Sequence, residues 1–335
     1  MKKLLILIIV LFLFGCQTKT TIIPLLIYDM NDTYMEDFEQ RIRNNADDEL
    51  SIVTYDCQNS QIIQNEYIEQ LMDDGYQLLI INPVDRLSVY AIIEKAMQTN
   101  TTIIFINREP LEIDMNLSDS LYYIGADARQ SAELQAEIVM ELFGGNPNQL
   151  NQFDKNSDGV IQTVILKGEQ GHQDAEARTQ YVIETLDNEN YQVEVLDVVI
   201  ANFDTDTAVI AMEQLIDKYG NTIEVVLSNN DAMAIGAIKA LKNYNYFIDA
   251  NHDGIIDRES ETWIPVIGID GLDIAIDQIE KGYLYGTVLN DSQKMADAIY
   301  ELSYALLIDK TLDGFEYTIT NEKYVWIDYQ KMIFE

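Results

Sequence analysis

The stretch Glu224–Asn243, which reads EVVLSNNDAMAIGAIKALKN, contains the structural unit on which the rest of the chain is built. Its first residues, Glu224–Leu227, form a short apolar run that is typical of a buried strand. The polar pair Asn229-Asn230 follows, and Asp231–Asn243 then has the periodicity of a helix. A strand that continues through a polar turn into a helix is half of a crossover between parallel strands.

The same alternation of strands and helices continues on both sides of this stretch. Strands are also predicted at Ile22–Tyr28, Leu50–Tyr55, Gln77–Ile81, Thr102–Ile106, Leu121–Ile124, Thr163–Leu166, Gln192–Val199, Ile264–Ile269 and Gly286–Leu289. Helices between them include Asp32–Arg43, Arg129–Leu142, Ala175–Leu186 and Thr207–Tyr219. Continuously apolar strands that alternate with helices indicate parallel sheets covered on both faces. The predicted fold class is therefore α/β, and the lack of a long linker favours two similar, doubly wound lobes joined by chain crossovers.

Polar residues or glycines follow most of the predicted strands. In open α/β sheets, the carboxyl ends of the strands face the ligand crevice. Amides and carboxylates placed there can hydrogen-bond a small polar ligand, although each of them could equally cap the helix that follows. Taken together, they favour a binding site, and they are Asp29, Asn107, Gly125, Gly168, Asn202, Asn229, Asn230, Asp270 and Asn290.

The composition excludes several classes of protein. The chain has 335 residues, with 21 Lys and Arg against 57 Asp and Glu, so its formal net charge is −36. Such acidity argues against nucleic-acid binding, which needs a basic surface. The 47% of hydrophobic residues are enough for a large core and argue against disorder. On length alone, two domains of about 150 residues each are expected.

The first residues have the features of an export signal. Lys2 and Lys3 precede an apolar run from Leu4 to Phe14, which is too short for a membrane span of about 20 residues. Gly15 and Cys16 then resemble a bacterial lipoprotein box. We therefore expect residues 1–15 to be a lipoprotein signal peptide, Cys16 to carry a lipid and residues 16–21 to form a tether; a buried strand or helix is the alternative. Lipidation of Cys16 leaves Cys57 as the remaining cysteine, so no disulfide is expected.

Residues 154–162 have the spacing of a calcium-binding loop. Oxygen-bearing side chains occupy positions 1, 3, 5 and 9, Gly159 allows a sharp turn at position 6, and Val160 offers its backbone oxygen. The closing Glu of an EF-hand loop is missing, so a carboxylate would have to come from elsewhere. The alternative is an ordinary polar turn. The candidate ligands within the loop are Asp154, Asn156, Asp158, Val160 and Gln162.

A second loop repeats this pattern at residues 249–257. Glu259 and Glu261 lie just beyond it, and position 12 is Ser260, so its closure is also irregular. A second calcium ion and an acidic hydrated turn both remain open, and His252 is expected to face solvent. The candidate ligands are Asp249, Asn251, Asp253, Ile255 and Asp257.

The segment Lys167–Arg178, KGEQGHQDAEAR, closely resembles the bacterial galactose/glucose-binding protein family. The similarity also includes the first calcium loop and the motifs Ser228–Ala234, Gly268–Asp270 and Thr287–Asp291, and it covers nearly all of the chain after the signal. It implies a type I periplasmic-binding-protein fold, in which two lobes are joined by a three-crossing hinge. The implied lobes are residues 22–126 with 291–325 and residues 127–290 with 326–335, and the latter carries the calcium loop.

The resemblance also implies which residues bind the sugar and the metal. The family usually has Phe at the position of Tyr34 and Trp at that of Phe203, so both stacking rings differ here. Glu224 would supply the closing carboxylate of the first calcium loop. The implied hexose contacts are Asp32, Tyr34, Asn107, His172, Asp174, Arg178, Phe203, Asn230, Asp270 and Asn290.

The expected function is that of an extracytoplasmic, monomeric lipoprotein that binds D-glucose or D-galactose between its lobes and delivers it to an ABC-transporter permease. A chemoreceptor is a second candidate partner. A pentose or an amino sugar is the alternative ligand. An enzyme is disfavoured because the chain contains no G-x-S-x-G, P-loop, G-x-G-x-x-G or H-E-x-x-H motif and has two histidines in total.

Overall fold

The computed structural model describes residues 20–258 and 262–333. The predicted signal peptide, Cys16, most of the tether and the pair Glu259 and Glu261 lie outside the described residues. Within the described part of the chain, no helix is both long and apolar enough to cross a membrane.

The first sheet has seven strands: β1 (Thr21–Ile27), β2 (Leu50–Asp56), β3 (Leu78–Ile81), β4 (Thr102–Ile106), β5 (Leu121–Gly125), β11 (Ile319–Thr320) and β12 (Tyr324–Trp326). Their order is β11-β12-β5-β4-β3-β1-β2. The sheet is parallel except for the antiparallel pairing of β11 with β12. Leu25 and Leu26 point into opposite hydrophobic clusters and are both fully buried. Strands buried on both faces explain why the apolar runs are continuous.

The second sheet has six strands: β6 (Val160–Lys167), β7 (Gln192–Ile200), β8 (Val225–Ser228), β9 (Val266–Ile267), β10 (Gly286–Leu289) and β13 (Gln330–Ile333). Their order is β13-β10-β9-β8-β6-β7, and β13 alone is antiparallel to its neighbour. The predicted strand at Ile264–Ile269 is shorter in the structure, where it covers Val266–Ile267.

Helices cover both sheets. They are α1 (Thr33–Asn44), α2 (Gln61–Asp73), α3 (Tyr90–Thr99), α4 (Glu112–Met115), α5 (Ala128–Leu142), α6 (Gln173–Asn188), α7 (Thr205–Tyr219), α8 (Asp231–Asn243), α9 (Asp273–Glu280) and α10 (Ser292–Tyr304). A short 3₁₀ helix (Gly220–Thr222) and a π-helical turn (Ala305–Asp309) complete them. In the first sheet, α1 and α2 contribute buried residues to different clusters, which shows that the sheet is covered on both faces.

The chain passes between the two sheets three times. It leaves β5 at Gly125 and enters α5, where Gln135 donates hydrogen bonds to carbonyl oxygens of the second sheet. It returns after β10, because α10 packs against α1. The last crossing joins β12 to β13. Two of the implied boundaries shift by one residue, since Thr21 and Trp326 are paired within the first sheet.

Two α/β lobes with this connectivity confirm the predicted fold class, with antiparallel strands added at the edges of both sheets.

Cys57 lies in the N-terminal lobe and is fully buried, and its burial raises the pKa of the thiol to about 11.

Candidate ligand-binding site

One cavity between the lobes is lined by all ten residues that the sequence singled out for the sugar site. The N-terminal lobe contributes its residues from the ends of β1 and β4 and from the start of α1, and the C-terminal lobe contributes the others. The lining is Tyr28, Asp32, Tyr34, Asn107, His172, Asp174, Arg178, Phe203, Asn230, Asp270 and Asn290. A wider cavity of about 320 Å³ continues past His172 and Asp174.

Three of these residues cap helices and line the cavity at the same time. Asp32 Oδ1 accepts hydrogen bonds from the backbone N–H groups of Tyr34 and Met35 at 2.9 and 3.1 Å. Asn230 Oδ1 accepts from Met233 N at 2.9 Å, and His172 Nδ1 accepts from Asp174 N at 3.2 Å. Capping and ligand contact are therefore not alternatives, because each cap uses one atom of a side chain that has a second polar atom.

Arg178 lies at the centre of the polar network. Its Nη1 donates to the carbonyl oxygen of Asn229 at 2.7 Å, and its Nη2 donates to the Tyr329 hydroxyl at 3.1 Å. The carboxylates of Asp174 and Asp270 lie 3.5 and 3.7 Å from the guanidinium nitrogens. The side chain of Arg178 is 5% exposed, and its guanidinium is held by two neutral acceptors and shared between two carboxylates.

Burial controls the ionisation of two other residues in the cavity. It raises the pKa of Asp270 well above its ordinary value, and Arg178 opposes this increase. Burial lowers the pKa of His172 to about 4, although Asp174 acts in the opposite direction. His172 is therefore neutral near pH 7, and since its Nδ1 accepts a hydrogen bond, its Nε2 carries the proton.

Several polar atoms in the cavity have no protein partner. Among the described residues, the Tyr34 hydroxyl, Arg178 Nε and Asn290 Oδ1 are buried and make no hydrogen bond. Buried polar groups are normally paired, so these atoms indicate that a ligand supplies the missing partners. The three include a donor, an acceptor and a hydroxyl that can act as either, which suits a ligand bearing several hydroxyl groups.

The two candidate stacking rings lie on different lobes. Phe203 has a left-handed backbone conformation with φ of 60°, and its ring lies edge-on to His172 with 5.1 Å between ring centroids. Gly168 makes room for this ring, because a Cβ atom there would lie 2.2 Å from it. Tyr34 packs against Phe38 and is 7% exposed, so it is a core residue that also lines the cavity.

The sequence analysis missed five residues that contribute to the site, which are Tyr28, Arg108, Glu109, Gln173 and Tyr329. Tyr28 donates to Asp32 Oδ2 at 2.6 Å, and Arg108 lies over the Tyr28 ring at 3.7 Å. Gln173 Nε2 donates to Glu109 Oε2 at 3.1 Å and so links the lobes. Tyr28 and Arg108 could have been found, because each is next to a strand-end residue already singled out. Tyr329 could not, because its contact with Arg178 spans 151 residues.

The first calcium-type loop and Glu224 lie together. Glu224 immediately precedes β8, which pairs with β6, and the loop leads into β6. Its carboxylate accepts from Lys155 N at 2.6 Å and from Gln162 N at 3.1 Å. The Asn156 and Gln162 amides lie 2.9 and 3.1 Å from Asp158 Oδ2. Glu224 is therefore hydrogen-bonded to the loop, and burial raises its pKa.

The second loop repeats the hydrogen bonds of the first. Asp249 accepts from Asp253 N at 3.2 Å and from Gly254 N at 2.8 Å, as Asp154 does from Asp158 N and Gly159 N. Asn251 Nδ2 lies 2.9 Å from Asp253 Oδ2, which matches the first loop. His252 is exposed, as predicted.

In residues 20–258 and 262–333, no three His, Cys, Asp or Glu side chains cluster as a metal site. Each candidate set contains three carboxylates, those of Asp154, Asp158 and Glu224 in the first loop and of Asp249, Asp253 and Asp257 in the second, and neither trio forms such a cluster.

Two α/β lobes around a polar cavity at the ends of their strands define a solute-binding protein of the type I class. Residues 23–311 match the family model for the periplasmic binding protein domain, and the chain belongs to this family. Proteins of this family bind substrates for ABC transporters and are not enzymes, as predicted. Membership places the chain outside the cytoplasm.

The relatives include sugar- and polyol-binding proteins by name. The chain is 35% identical over 288 residues to the D-galactose/methyl-galactoside binding periplasmic protein MglB of Haemophilus influenzae, covering 85% of this chain and 81% of that one. It is 24% identical to a putative rhizopine-binding protein of Rhizobium meliloti, over 76% and 75% of the two chains. A solute-binding protein of Actinobacillus succinogenes with bound D-allose has a TM-score of 0.73 at 20% identity, over 94% and 98% of the chains, and supports the fold.

Proposed function

We propose that this protein is a receptor for an uncharged aldohexose, D-glucose or D-galactose, which it binds between its lobes. The observation that carries the proposal is the cavity in which the ten candidate side chains meet and leave a donor and an acceptor unpaired. The named ligand of the MglB relative, galactose, supports the same choice.

The charges around the cavity favour a neutral ligand. Arg178 is the only cation among the lining residues, and Asp174 and Asp270 already lie beside it. An acidic sugar would therefore meet a surplus of carboxylates without a free positive partner. A neutral hexose offers hydroxyls to the carboxylates and amides, and C–H faces to Tyr34 and Phe203.

Binding is coupled to lobe closure by differential contact. A sugar that touches residues from both lobes makes its full set of contacts when the lobes are closed, so it shifts the population to the closed state. We infer that the closed form docks on an ABC-transporter permease, with a chemoreceptor as a second candidate partner. Lipid anchoring through Cys16 and a monomeric state belong to the same proposal. Labelling with a lipid precursor in wild type and Cys16→Ser tests the anchor, and light scattering tests the monomer.

Isothermal titration with a panel of sugars tests the ligand. We expect glucose or galactose to bind more tightly than ribose, arabinose, glucosamine, glucuronate and myo-inositol. Asp174→Ala should weaken hexose binding, because it removes a carboxylate from the cavity wall, whereas Asp187→Ala on the outer part of the same helix should not. Tighter binding of a pentose or an amino sugar would replace the proposed ligand with the alternative, and absence of binding to any sugar would refute the proposal.

We further propose a structural calcium ion at the first loop. Asp154, Asn156, Asp158, Gln162, the Val160 carbonyl and Glu224 would hold it. The hydrogen bonds from the loop backbone to Glu224 and from the Asn156 and Gln162 amides to Asp158 support this set. The amides of Asn156 and Gln162 now turn their nitrogens to Asp158, and a rotation of each amide would present its oxygen instead. The ion would connect the loop to the strand that follows Glu224, and it would stabilise the fold by mass action.

The repeated hydrogen bonds support a second calcium ion at Asp249, Asn251, Asp253, Ile255 and Asp257. Calcium saturation at 100 times the dissociation constant should stabilise the protein by about 2.7 kcal/mol per site. We expect chelator to lower the melting temperature, Glu224→Gln to remove one site from the titration and Asp253→Asn to remove the other. An unchanged melting temperature in chelator rejects both sites, and a single bound ion in the wild type that is lost in Glu224→Gln rejects the second.

A further inference from the structure

Asp231 is a buried carboxylate that lies behind the candidate site. It is the first residue of α8, it is fully buried, and it does not line the cavity, unlike its neighbour Asn230. Neither the sequence motifs nor the proposed sugar contacts give it a role. A fully buried carboxylate is costly unless it is well hydrogen-bonded, so its partners show what it does.

All three hydrogen bonds to Asp231 come from the segment that carries Asp270 and from the strand beside it. Oδ2 accepts from the backbone N–H groups of Gly271 at 2.7 Å and Leu272 at 3.0 Å. Oδ1 accepts from the Thr287 hydroxyl at 2.7 Å. The chain also passes very close to this carboxylate at Gly268, where a Cβ atom would lie 2.0 Å from Oδ1. One side chain therefore organises the whole turn from residue 268 to residue 272.

The turn needs such support because Asp270 has an unfavourable backbone conformation. Its φ is 131°, in a region that residues other than glycine rarely adopt. Gly271 follows with φ of 74°. With this backbone, the Asp270 carboxylate lines the cavity and lies 3.7 Å from Arg178. If the turn relaxed, the carboxylate would leave this position.

We propose that Asp231 is a positioning residue, whose carboxylate holds the strained turn so that Asp270 faces the ligand and Arg178. The inference rests on the proposed sugar-binding function and adds a residue that determines specificity without touching the sugar. Asp270 selects for the hydroxyl it contacts, and Asp231 maintains that selection.

Two substitutions at Asp231 test whether its hydrogen bonds to the turn are what matters, because one variant can keep those bonds and the other removes them. Asp231→Asn keeps an oxygen for the two N–H groups and gains an amide that can donate to Thr287, so hexose affinity should stay within about threefold of wild type. Asp231→Ala leaves those groups unpaired and should weaken hexose binding roughly 5- to 150-fold. If Asp231→Ala does not fold, Thr287→Val removes one of the three hydrogen bonds and is measured in its place.

A series of deoxyhexoses supplies a readout that general destabilisation would not move. Each deoxyhexose lacks one hydroxyl, and the affinity lost relative to the parent hexose is the penalty for that hydroxyl. Asp270→Asn first identifies the hydroxyl whose penalty is smaller when the Asp270 carboxylate is absent. In Asp231→Ala, the penalty for losing that same hydroxyl should shrink, while the penalties for the other hydroxyls persist. The inference would be overturned if the affinity penalties for all the hydroxyls decreased equally in Asp231→Ala, or if this variant kept the wild-type penalties.

Amide hydrogen exchange tests the inference without any ligand. In Asp231→Ala, the amides of Gly271 and Leu272 should exchange faster than in wild type, whereas those of β8 should not. Wild-type protection of both amides would overturn the positioning role. If no sugar binds the wild-type protein, the proposed function fails, and the exchange measurement still decides whether Asp231 holds the turn.

Discussion

Replacement of Arg178 by methionine tests the centre of the proposed site. Methionine has a similar reach and no charge, so the substitution removes the guanidinium while it keeps much of the packing. It leaves the Asn229 carbonyl and the Tyr329 hydroxyl without their donor. It also leaves the buried carboxylate of Asp270, which is 5% exposed, without its cation at 3.7 Å.

The expected losses follow from these contacts. Breaking a buried ion pair by removing one partner costs about 3–5 kcal/mol of unfolding free energy. For a lobe of this size, about 1 kcal/mol changes the melting temperature by about 2–4 °C, so a decrease of roughly 6–20 °C is expected. Arg178 Nε has no protein partner, so a ligand hydroxyl is its proposed acceptor. Loss of such a charge-assisted bond should weaken hexose binding by roughly 10- to 150-fold.

Calorimetric titration and thermal melting measure the two effects separately. Arg178→Lys keeps the charge without the planar fork, so it should retain more of the stability than methionine and still lose affinity. Arg43→Met is the matched control, because Arg43 is 61% exposed and lies 3.7 Å from Glu39, and it should change neither quantity measurably. Hexose affinity that is unchanged in both Arg178 variants would refute the assignment of this residue to the site.

Two further predictions concern the pH dependence and the contact between the lobes. Burial lowers the pKa of His172 from 6.5 to about 4, so the unfolded chain takes up this proton at a higher pH than the folded one. The stability of wild type relative to His172→Gln should therefore be constant above about pH 6.5 and fall as the pH drops toward 4, which denaturant titration can measure; a constant difference would contradict it. Gln173→Ala removes the hydrogen bond to Glu109 that links the lobes. It should weaken the affinity for all bound sugars by roughly 2- to 10-fold without changing their order, and a changed order in calorimetry would contradict this account.

The sequence determined the fold class well, because the signal for it is repeated many times. Each strand buried on both faces produces an unbroken apolar run, as at Leu25 and Leu26, and each crossover helix produces its own periodicity. The order of the strands could not be predicted in the same way, since it depends on which sheet edge each crossover reaches. The strand Gln330–Ile333 was missed because it is short and only partly buried, so it lacks an apolar run.

The site residues could be predicted only where a local feature of the sequence, such as the end of a strand or a recognisable motif, marks them. Asn107 and Asn230 stand out because they end predicted strands, and Asp174 and Arg178 stand out through a motif that resembles a known family. Tyr329 and Gln173 act through contacts between distant segments, and no local pattern marks such partners. Asp231 was quoted within a motif, but its hydrogen bonds to Gly271 and Leu272 depend on the packing of two loops.

The choice between helix cap and ligand contact, which the sequence left open, has a geometric answer in this fold. A parallel strand that ends at the cleft is followed by a helix, so the cleft edge of the sheet is also the row of helix N-termini. A side chain that satisfies the first N–H groups of the helix is held in one orientation by that bond. In Asp32, His172 and Asn230, one atom makes the cap while the side chain lines the cavity. The capping bond therefore reduces the entropy that the side chain would lose on binding, and it makes the binding surface rigid before a ligand arrives.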